Sequence, residues 1–346
     1  MPTIKLQGQL EKQKGIHYEV DPTDPPIGIG GMGRVYKGVC VNEHTHEVKP
    51  VAIKFMFEDL PVHAIDRARR EASIQLRNDN LVEMFGFIET LDDMGGGHRA
   101  KHYHVVSELL HGVPLSEMLE GNVTDFEGNE VPFAVEMLQM YKEHPEQFAI
   151  RIVKSVLAGI MALHDNGYIH RDIDPSNIML TSDNHIKLID FGIAMKLNTL
   201  SVADDVSLDG NRKERLVGKP KYAAPELVRA DVNSQNQTTD IYSIGILLFQ
   251  LTCGCLPFEG SMEEVMQMQL TKDMPLSNIS NPALRDIIKR ATEKKQEKRY
   301  QSASEFRVAL DTMSTPGPSP LPVKTIIFVV VGAILGLIVG VCLALL

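Results

Sequence analysis

The chain has 346 residues, 43% hydrophobic and 23% charged, a balance that supports a packed core and excludes a disordered polymer. Its net charge of −10 excludes a nucleic-acid binder held by a broad basic surface. The four cysteines, two of them (Cys253 and Cys255) inside one apolar run, offer neither a disulfide framework nor a zinc knuckle and fit a reducing compartment.

Residues 1–15 contain no apolar stretch of signal-peptide length and read as an N-terminal extension. An enzyme-sized unit follows, residues 16–312, with no internal repeats. Its first third is strand-like, because VYKGVCV and VAIKFMF are rich in β-branched and aromatic residues. Before the first of these lies GIGGMGRV (28–35), whose glycines at 28, 30 and 33 permit a tight bend and a close approach to phosphates. The pattern alone also suits an ordinary hairpin loop. A dinucleotide site would place it between a strand and a helix, whereas here a strand follows, which favours a flap over phosphates. No Walker-type pattern occurs.

Lys54 lies among apolar strand residues, where a buried ammonium needs a counter-charge. Glu71 can supply it from a predicted helix whose face carries Ile65, Ala68, Ala72 and Leu76. The alternative makes Glu71 a surface partner of Arg67. Two stretches, 91–102 and 121–147, read as surface insertions. His98, His102 and His104 read as incidental histidines of a Gly-rich loop running into a strand, without the Cys or acidic partners of a metal site.

From residue 148 the pattern turns helical, with Ile152, Val153, Val156, Leu157, Ile160 and Leu163 on a 3–4 spacing. A small β-rich lobe (about 16–107) thus precedes a larger α-rich one (about 108–312). In HRDIDPSN (170–177), Asp172 can accept or orient a hydroxyl proton, and the Asn177 carbonyl can bind magnesium. Asp190 in KLIDFG, at the end of an apolar strand, suits the same metal. Each alone could be a cap or turn residue; the ordered set points to chemistry.

Residues 313–324, MSTPGPSPLPVK, read as a linker. Ile326–Leu346 is uncharged throughout and as a helix would be ~31 Å long, so 325–346 is expected to cross a membrane. A buried helix is the alternative, but no side of this segment suits water. Lys324 precedes it and no charge follows, which predicts a single-pass, C-terminal anchor in the cell (inner) membrane with the preceding unit cytoplasmic. Gly332, Gly336 and Gly340 repeat a G-x-x-x-G spacing that could pair two such helices into a homodimer, although glycine is common in membrane helices in any case.

Over about residues 16–310 these motifs resemble eukaryotic-like (Hanks-type) serine/threonine protein kinases, most closely the bacterial members. The resemblance implies an α+β, bilobal protein-kinase-like fold, with the membrane helix appended, that uses ATP with Mg²⁺ or Mn²⁺ on protein substrates. It makes Ile27, Gly28, Ile29, Gly30, Gly31, Met32, Gly33, Arg34 and Val35 the flap, and Val35 and Ala52 the adenine ceiling. It places Lys54 on the phosphates, held by Glu71, and makes Glu108 and Leu110 the hinge residues. Asp172 becomes the catalytic base, and Asn177 and Asp190 the metal ligands. Ala224-Pro225-Glu226 would close the activation segment, with Glu226 paired to Arg299, and Asp240 would anchor the catalytic loop. Arg171 would receive a phosphate on Thr199, Ser201 or Ser207.

Three positions depart from the family. Asp174 stands where lysine is usual, Lys219 where threonine is usual, and Ser107 precedes the hinge where larger residues are common. Ser107 implies a roomier back pocket, or else is a small core residue. An unpaired Asp174 beside the γ-phosphate would oppose transfer. Lys219 is therefore expected to pair with Asp174 and supply the missing cation; the alternative is a solvated Lys219 and an Asp174 that only caps a turn. The expected activity is that of a membrane-anchored serine/threonine kinase that also autophosphorylates. A pseudokinase acting as a nucleotide-binding signalling scaffold at the membrane remains the alternative, and a small-molecule phosphotransferase fits the A-P-E segment and Asp240 less well.

Overall fold

The β-branched runs of the small lobe form an antiparallel sheet, as their alternation predicts. The computed structural model describes residues 3–93, 99–191, 194–196 and 218–313. The strands are β1 (Ile4–Leu6), β2 (Ile16–Val20), β3 (Gly28–Gly30), β4 (Gly33–Asn42), β5 (Val48–Met56), β6 (Met84–Asp93) and β7 (Arg99–Glu108), with α1 (Gln9–Lys14) after β1 and α2 (Val62–Ser73) after β5. Among the described residues the sheet order is β1-β2-β4-β5-β7-β6, with β3 hairpinned onto β4. The extension at 1–15 is thus part of the sheet: Ile4 lies opposite Val20 and Leu6 opposite Tyr18.

One face of the sheet buries Leu6, Tyr18, Val20, Tyr36, Val51, Ile53, Ile88 and Val106 as the small-lobe core. Successive strand residues point to opposite faces. Burying Val51 and Ile53 therefore sends Ala52 and Lys54 to the other side. The register extends that side across three strands. Val35 and Val105 flank Lys54, while Lys37 and Ser107 flank Ala52. On α2, Ala64, Ala68, Glu71 and Ala72 are buried where the helix packs on β6 and β7. The helix stops at Ser73, so Leu76 lies beyond it and Ile74 is the buried apolar residue at its end.

The larger lobe contains β8 (Gly112–Pro114), α3 (Leu115–Leu119), α4 (Pro132–Glu143), α5 (Pro145–Asp165), β9 (Tyr168–Ile169), β10 (Ile178–Thr181), β11 (Ile186–Leu188), β12 (Met195–Lys196), α6 (Pro225–Val228), α7 (Gln237–Cys253), α8 (Met262–Thr271), α9 (Pro282–Ala291) and α10 (Ala303–Thr312). Its centre is α5 against α7. Helix α7 is buried on every side from Thr238 to Phe249, as an all-round apolar helix must be. Among the described residues, α5 is the one helix long and apolar enough to cross a membrane, and its Ile152, Val153, Leu157, Ile160 and Leu163 fill this core instead.

The expected surface insertions prove to be partly framework. Leu91–Asp93 and Arg99–His102 continue β6 and β7, which remain paired out to Asp93 opposite Arg99. Residues 121–131 are a loop closed by a Thr124–Glu130 bridge, but Pro132 opens α4, whose Phe133, Ala134 and Met137 are buried. Pro132 and Pro145 resemble loop punctuation in the sequence. Each begins a helix, where the missing N–H costs nothing. Of the three histidines, His104 is a core residue, 3.2 Å from the Thr90 hydroxyl and edge-on to Phe55. His98 lies outside the described residues, as do Thr199, Ser201, Ser207, most of the linker and the expected membrane helix. The chain divides into units Met1–Leu310 and Asp311–Leu346, and of the second only 311–313 are described.

Arg299 and Glu226 form a buried pair that holds α6, with Nη1 and Nη2 donating to the two carboxylate oxygens at 2.8 and 3.0 Å. Nearby, Lys294 donates to the Tyr242 hydroxyl at 2.8 Å. Burial, and then the Arg299 charge, push the Lys294 ammonium down to about 8. The unfolded lysine titrates at about 10.4, so between these values the unfolded chain holds the extra proton and stability rises with pH. Urea unfolding at pH 7.5 and pH 10 should show wild type gaining about 1–2 kcal/mol on Lys294→Met across that window, after discounting for partial exposure. Equal slopes would refute the assignment.

Candidate active site

The loop after β9 is fixed by one buried carboxylate. Asp240, in the first turn of α7, accepts the backbone N–H of His170 at 2.9 Å and of Arg171 at 2.8 Å. His164 Nε2 lies 2.8 Å from the same group. Burial opposes ionisation, but these partners and His170 hold the Asp240 carboxyl below the usual carboxylate range. The clamp supports a left-handed Arg171 at φ +69°, a conformation a non-glycine residue adopts only at a cost. Arg171 is buried, and its Nη1 donates to Gln235 Oε1 at 3.0 Å and contacts Met195 Sδ at 3.7 Å. A phosphate reaching Arg171 would have to share it with these partners.

Asp172 follows, half-buried, and a 3-10 turn at Pro175–Asn177 brings Asn177 back to it. Asn177 Nδ2 donates to Asp172 O at 2.9 Å, to Asp172 Oδ2 at 3.1 Å and to Asp174 Oδ2 at 3.4 Å. Asp174 caps the turn by accepting Ser176 N–H at 2.8 Å. Lys219 Nζ also reaches Asp174, 2.6 Å from Oδ2, and bonds the Ser176 hydroxyl. Both expectations for Asp174, the cap and the pair with Lys219, therefore hold together. Burial, and then the Asp174 charge, raise the Asp172 carboxyl above its ordinary range, against His170, Lys219 and Asn177.

Asp190 adjoins this loop because Ile189 N–H donates to Asn177 O at 2.9 Å. It too is left-handed, at φ +65°, just before the buried Phe191. Asn177 turns its Nδ2 to the two aspartates, and its Oδ1 takes no hydrogen bond among the described residues. That hard oxygen and the Asp190 carboxylate suit a magnesium-type cation. The expected Lys54–Glu71 pair is not made: no ion pair joins them within 4 Å. Glu71 Oε1 instead accepts Phe191 N–H at 3.3 Å, and Oε2 is buried without a hydrogen bond. Burial, and then the Asp190 charge, push Glu71 up to about 7, although Lys54 acts the other way. Glu71 is thus buried on α2 rather than a surface partner of Arg67.

The residues expected to meet nucleotide gather on the non-core face of the sheet. In the flap hairpin, Ile27 N–H bonds Val35 O at 2.8 Å, and the tip is tied where Phe57 N–H meets Met32 O at 3.1 Å. The glycines divide by purpose. A Cβ at Gly33 would lie 2.1 Å from Phe55 O, whereas at Gly30 and Gly31 it would meet nothing within 4 Å. Gly33 serves the fold; Gly30 and Gly31 keep the flap bare, which suits phosphate. Ile29 and Arg34 are exposed, and Val35 and Ala52 form the apolar patch below. At the hinge, the backbone N–H and C=O of Leu110 take no hydrogen bond among the described residues, which suits adenine edge recognition.

Two residues at the site escaped the sequence reading. Gln235 carried no signal. Lys187 did: like Lys54, it is a lysine between apolar strand residues. It is buried on β11, and its Nζ lies 2.9 and 2.8 Å from the two Glu108 oxygens. Glu108 Oε2 also accepts Glu83 N–H at 3.2 Å, so the hinge carboxylate faces inward and anchors its own backbone.

A family profile for the protein kinase domain matches residues 23–308. Serine/threonine-protein kinase PrkC of Bacillus subtilis is 30% identical over 295 residues, 83% of this chain and 39% of that protein. Serine/threonine-protein kinase PknB of Mycobacterium leprae is 28% identical, covering 86% of this chain and 43% of that one. Serine/threonine-protein kinase pkn2 of Myxococcus xanthus is 30% identical, covering 82% and 31%. The chain therefore spans less than half the length of these relatives.

The Lys187–Glu108 pair ties β11 to the end of β7, at the stretch expected to act as the hinge. Lys187→Met should raise the KM for ATP about tenfold, or ~1.4 kcal/mol, and leave the KM for protein substrate little changed. An unchanged ATP KM would show that the hinge keeps its register without the pair.

Proposed function

The chain belongs to the protein kinase domain family, and we propose that it is an ATP-dependent serine/threonine kinase that transfers the γ-phosphoryl group to protein hydroxyls. The observation that carries this reading is the convergence of Asp172, Asn177 and Asp190 on one loop clamped by Asp240. Asp172 would orient the substrate hydroxyl and accept its proton. Asn177 Oδ1 and Asp190 would hold Mg²⁺ or Mn²⁺, which when bound neutralises charge on the phosphates. Lys54 would meet the α- and β-phosphates under the flap, with adenine between Val35 and Ala52 and against the Glu108–Leu110 backbone. Such a site works by positioning and by charge. Autophosphorylation would fall on Thr199, Ser201 or Ser207.

The scaffold reading has one observation in its favour, the Glu71–Phe191 contact standing in place of a Glu71–Lys54 pair. Glu71 Oε2, which takes no hydrogen bond, would remain to receive Lys54 beside that contact. The remaining part of the proposal rests on sequence alone: residues 325–346 anchor the chain in the cell membrane, leave the kinase unit cytoplasmic, and offer Gly332, Gly336 and Gly340 for pairing two copies.

The test is transfer of labelled phosphate by the full chain with Mg²⁺ or Mn²⁺, beside Asp190→Asn. Transfer to serine or threonine that falls at least ~100-fold in the variant is expected. Nucleotide binding without transfer would favour the scaffold. For the anchor, the full chain should sediment with membranes while residues 1–312 stay in the supernatant; a full chain found only in the supernatant would refute it.

A further inference from the structure

We propose that Lys219 supplies the positive charge beside the phosphoryl group in transfer, and that it does so from the segment leading into α6, with Asp174 as its holder on the catalytic loop. The proposal rests on the kinase reading. It concerns which element carries the charge and when that charge is present.

Three features of the pair support it. The first is direction. The Asp174 side chain is 5% exposed, whereas that of Lys219 is 45% exposed. The ion pair is therefore oriented, its negative end inside the loop and its positive end toward solvent. The second is location. Asp174 shares the Asn177 amide with Asp172, so the ammonium sits against the carboxylate cluster that contains the proposed base. An incoming phosphoryl group would meet two neighbouring carboxylates, and without Lys219 the nearer charge would be uncompensated. The third is origin. Lys219 belongs to the chain before α6, where its carbonyl accepts Tyr222 N–H at 3.0 Å. Its contacts to Asp174 and Ser176 span 45 and 43 residues. The cation is thus present only while this segment is seated on the loop. Segment docking and the electrostatic completion of the site become one event.

A plain structural role would be simpler: Lys219 would neutralise a capping aspartate and do nothing for transfer. The two roles separate in a set of variants of the full chain, assayed for kcat and for both KM values, with melting temperature as the folding check. Lys219→Met should lower kcat about 100-fold with little change in ATP KM, the signature of a contact made in the transition state. Lys219→Arg, which keeps the charge, should recover much of that loss. The decisive variant is the neutral double, Asp174→Asn with Lys219→Met, which removes the buried acid together with its partner. It should stay as slow as Lys219→Met. The exchange, Asp174→Lys with Lys219→Asp, should regain at least a tenth of wild-type kcat. Wild-type kcat in the neutral double, or in Lys219→Met, would overturn the proposal. Should the exchange fail to fold, the neutral double and Lys219→Arg decide alone. A wild type no faster than Asp190→Asn would instead refute the kinase reading, which keeps the two failures distinct.

Discussion

The site depends on a carboxylate that never meets a substrate. Asp240 is fully buried, and burial disfavours its charge, yet His164 and the backbone N–H groups hold its carboxyl below the usual carboxylate range. Hydrogen bonds to a buried ion are among the stronger ones a protein makes, and here they fix consecutive peptides. That fixation lets Arg171 take a left-handed turn, which no local preference would select. From that turn follow the place of Asp172, the return of Asn177 and the bond from Ile189 that brings Asp190 alongside. Asp240 is itself held in the first turn of α7, where Asn236 caps the helix with Thr239 answering in the reciprocal bond. The chemistry thus rests on a helix cap and the packing of α7.

The small lobe positions its residues by arithmetic rather than by a single bond. A period of two and a fixed register put Val35, Ala52 and Lys54 on the side that the core does not use. A slip of one residue would bury Lys54 and expose Ile53. The hinge joins the two devices. Lys187 stands three residues before Asp190 and holds the carboxylate of Glu108. The strand that leads to Asp190 therefore also restrains the end of β7 at Glu108.

Most of the candidate site was legible because phosphate chemistry would leave few choices of residue. Glycines in a hairpin, a lysine among apolar strand residues and oxygen donors in a fixed order each have a physical reason, and the chain keeps them all. The Asp174–Lys219 contact was legible for the same reason: a buried acid near a phosphate needs a partner. Contacts between distant residues were legible where a motif marked both ends, as for Asp240 with the His170 N–H and Glu226 with Arg299, and were missed where none did. The Lys54–Glu71 pairing was inferred from complementary charge, but the structure brings Phe191 N–H to one Glu71 oxygen and leaves the other without a hydrogen bond. The 121–147 stretch read as a surface insertion, yet Pro132 and Pro145 in it open helices α4 and α5. Gln235 had no local signal, since its use comes from Arg171, 64 residues away.

The strand order has a consequence for the chain as it is made. Nearly every strand of the small lobe pairs with a close neighbour in sequence, so its contacts are local and cheap to close. The catalytic loop is the opposite case, because its clamp lies about 70 residues downstream of His170. During synthesis the small lobe has its full set of strands well before Asp240 leaves the ribosome. Until then Arg171 has no reason to turn and Asp172 no fixed position. The growing chain therefore passes through a stage in which every strand of the small lobe is present while the 170–177 loop still lacks its clamp.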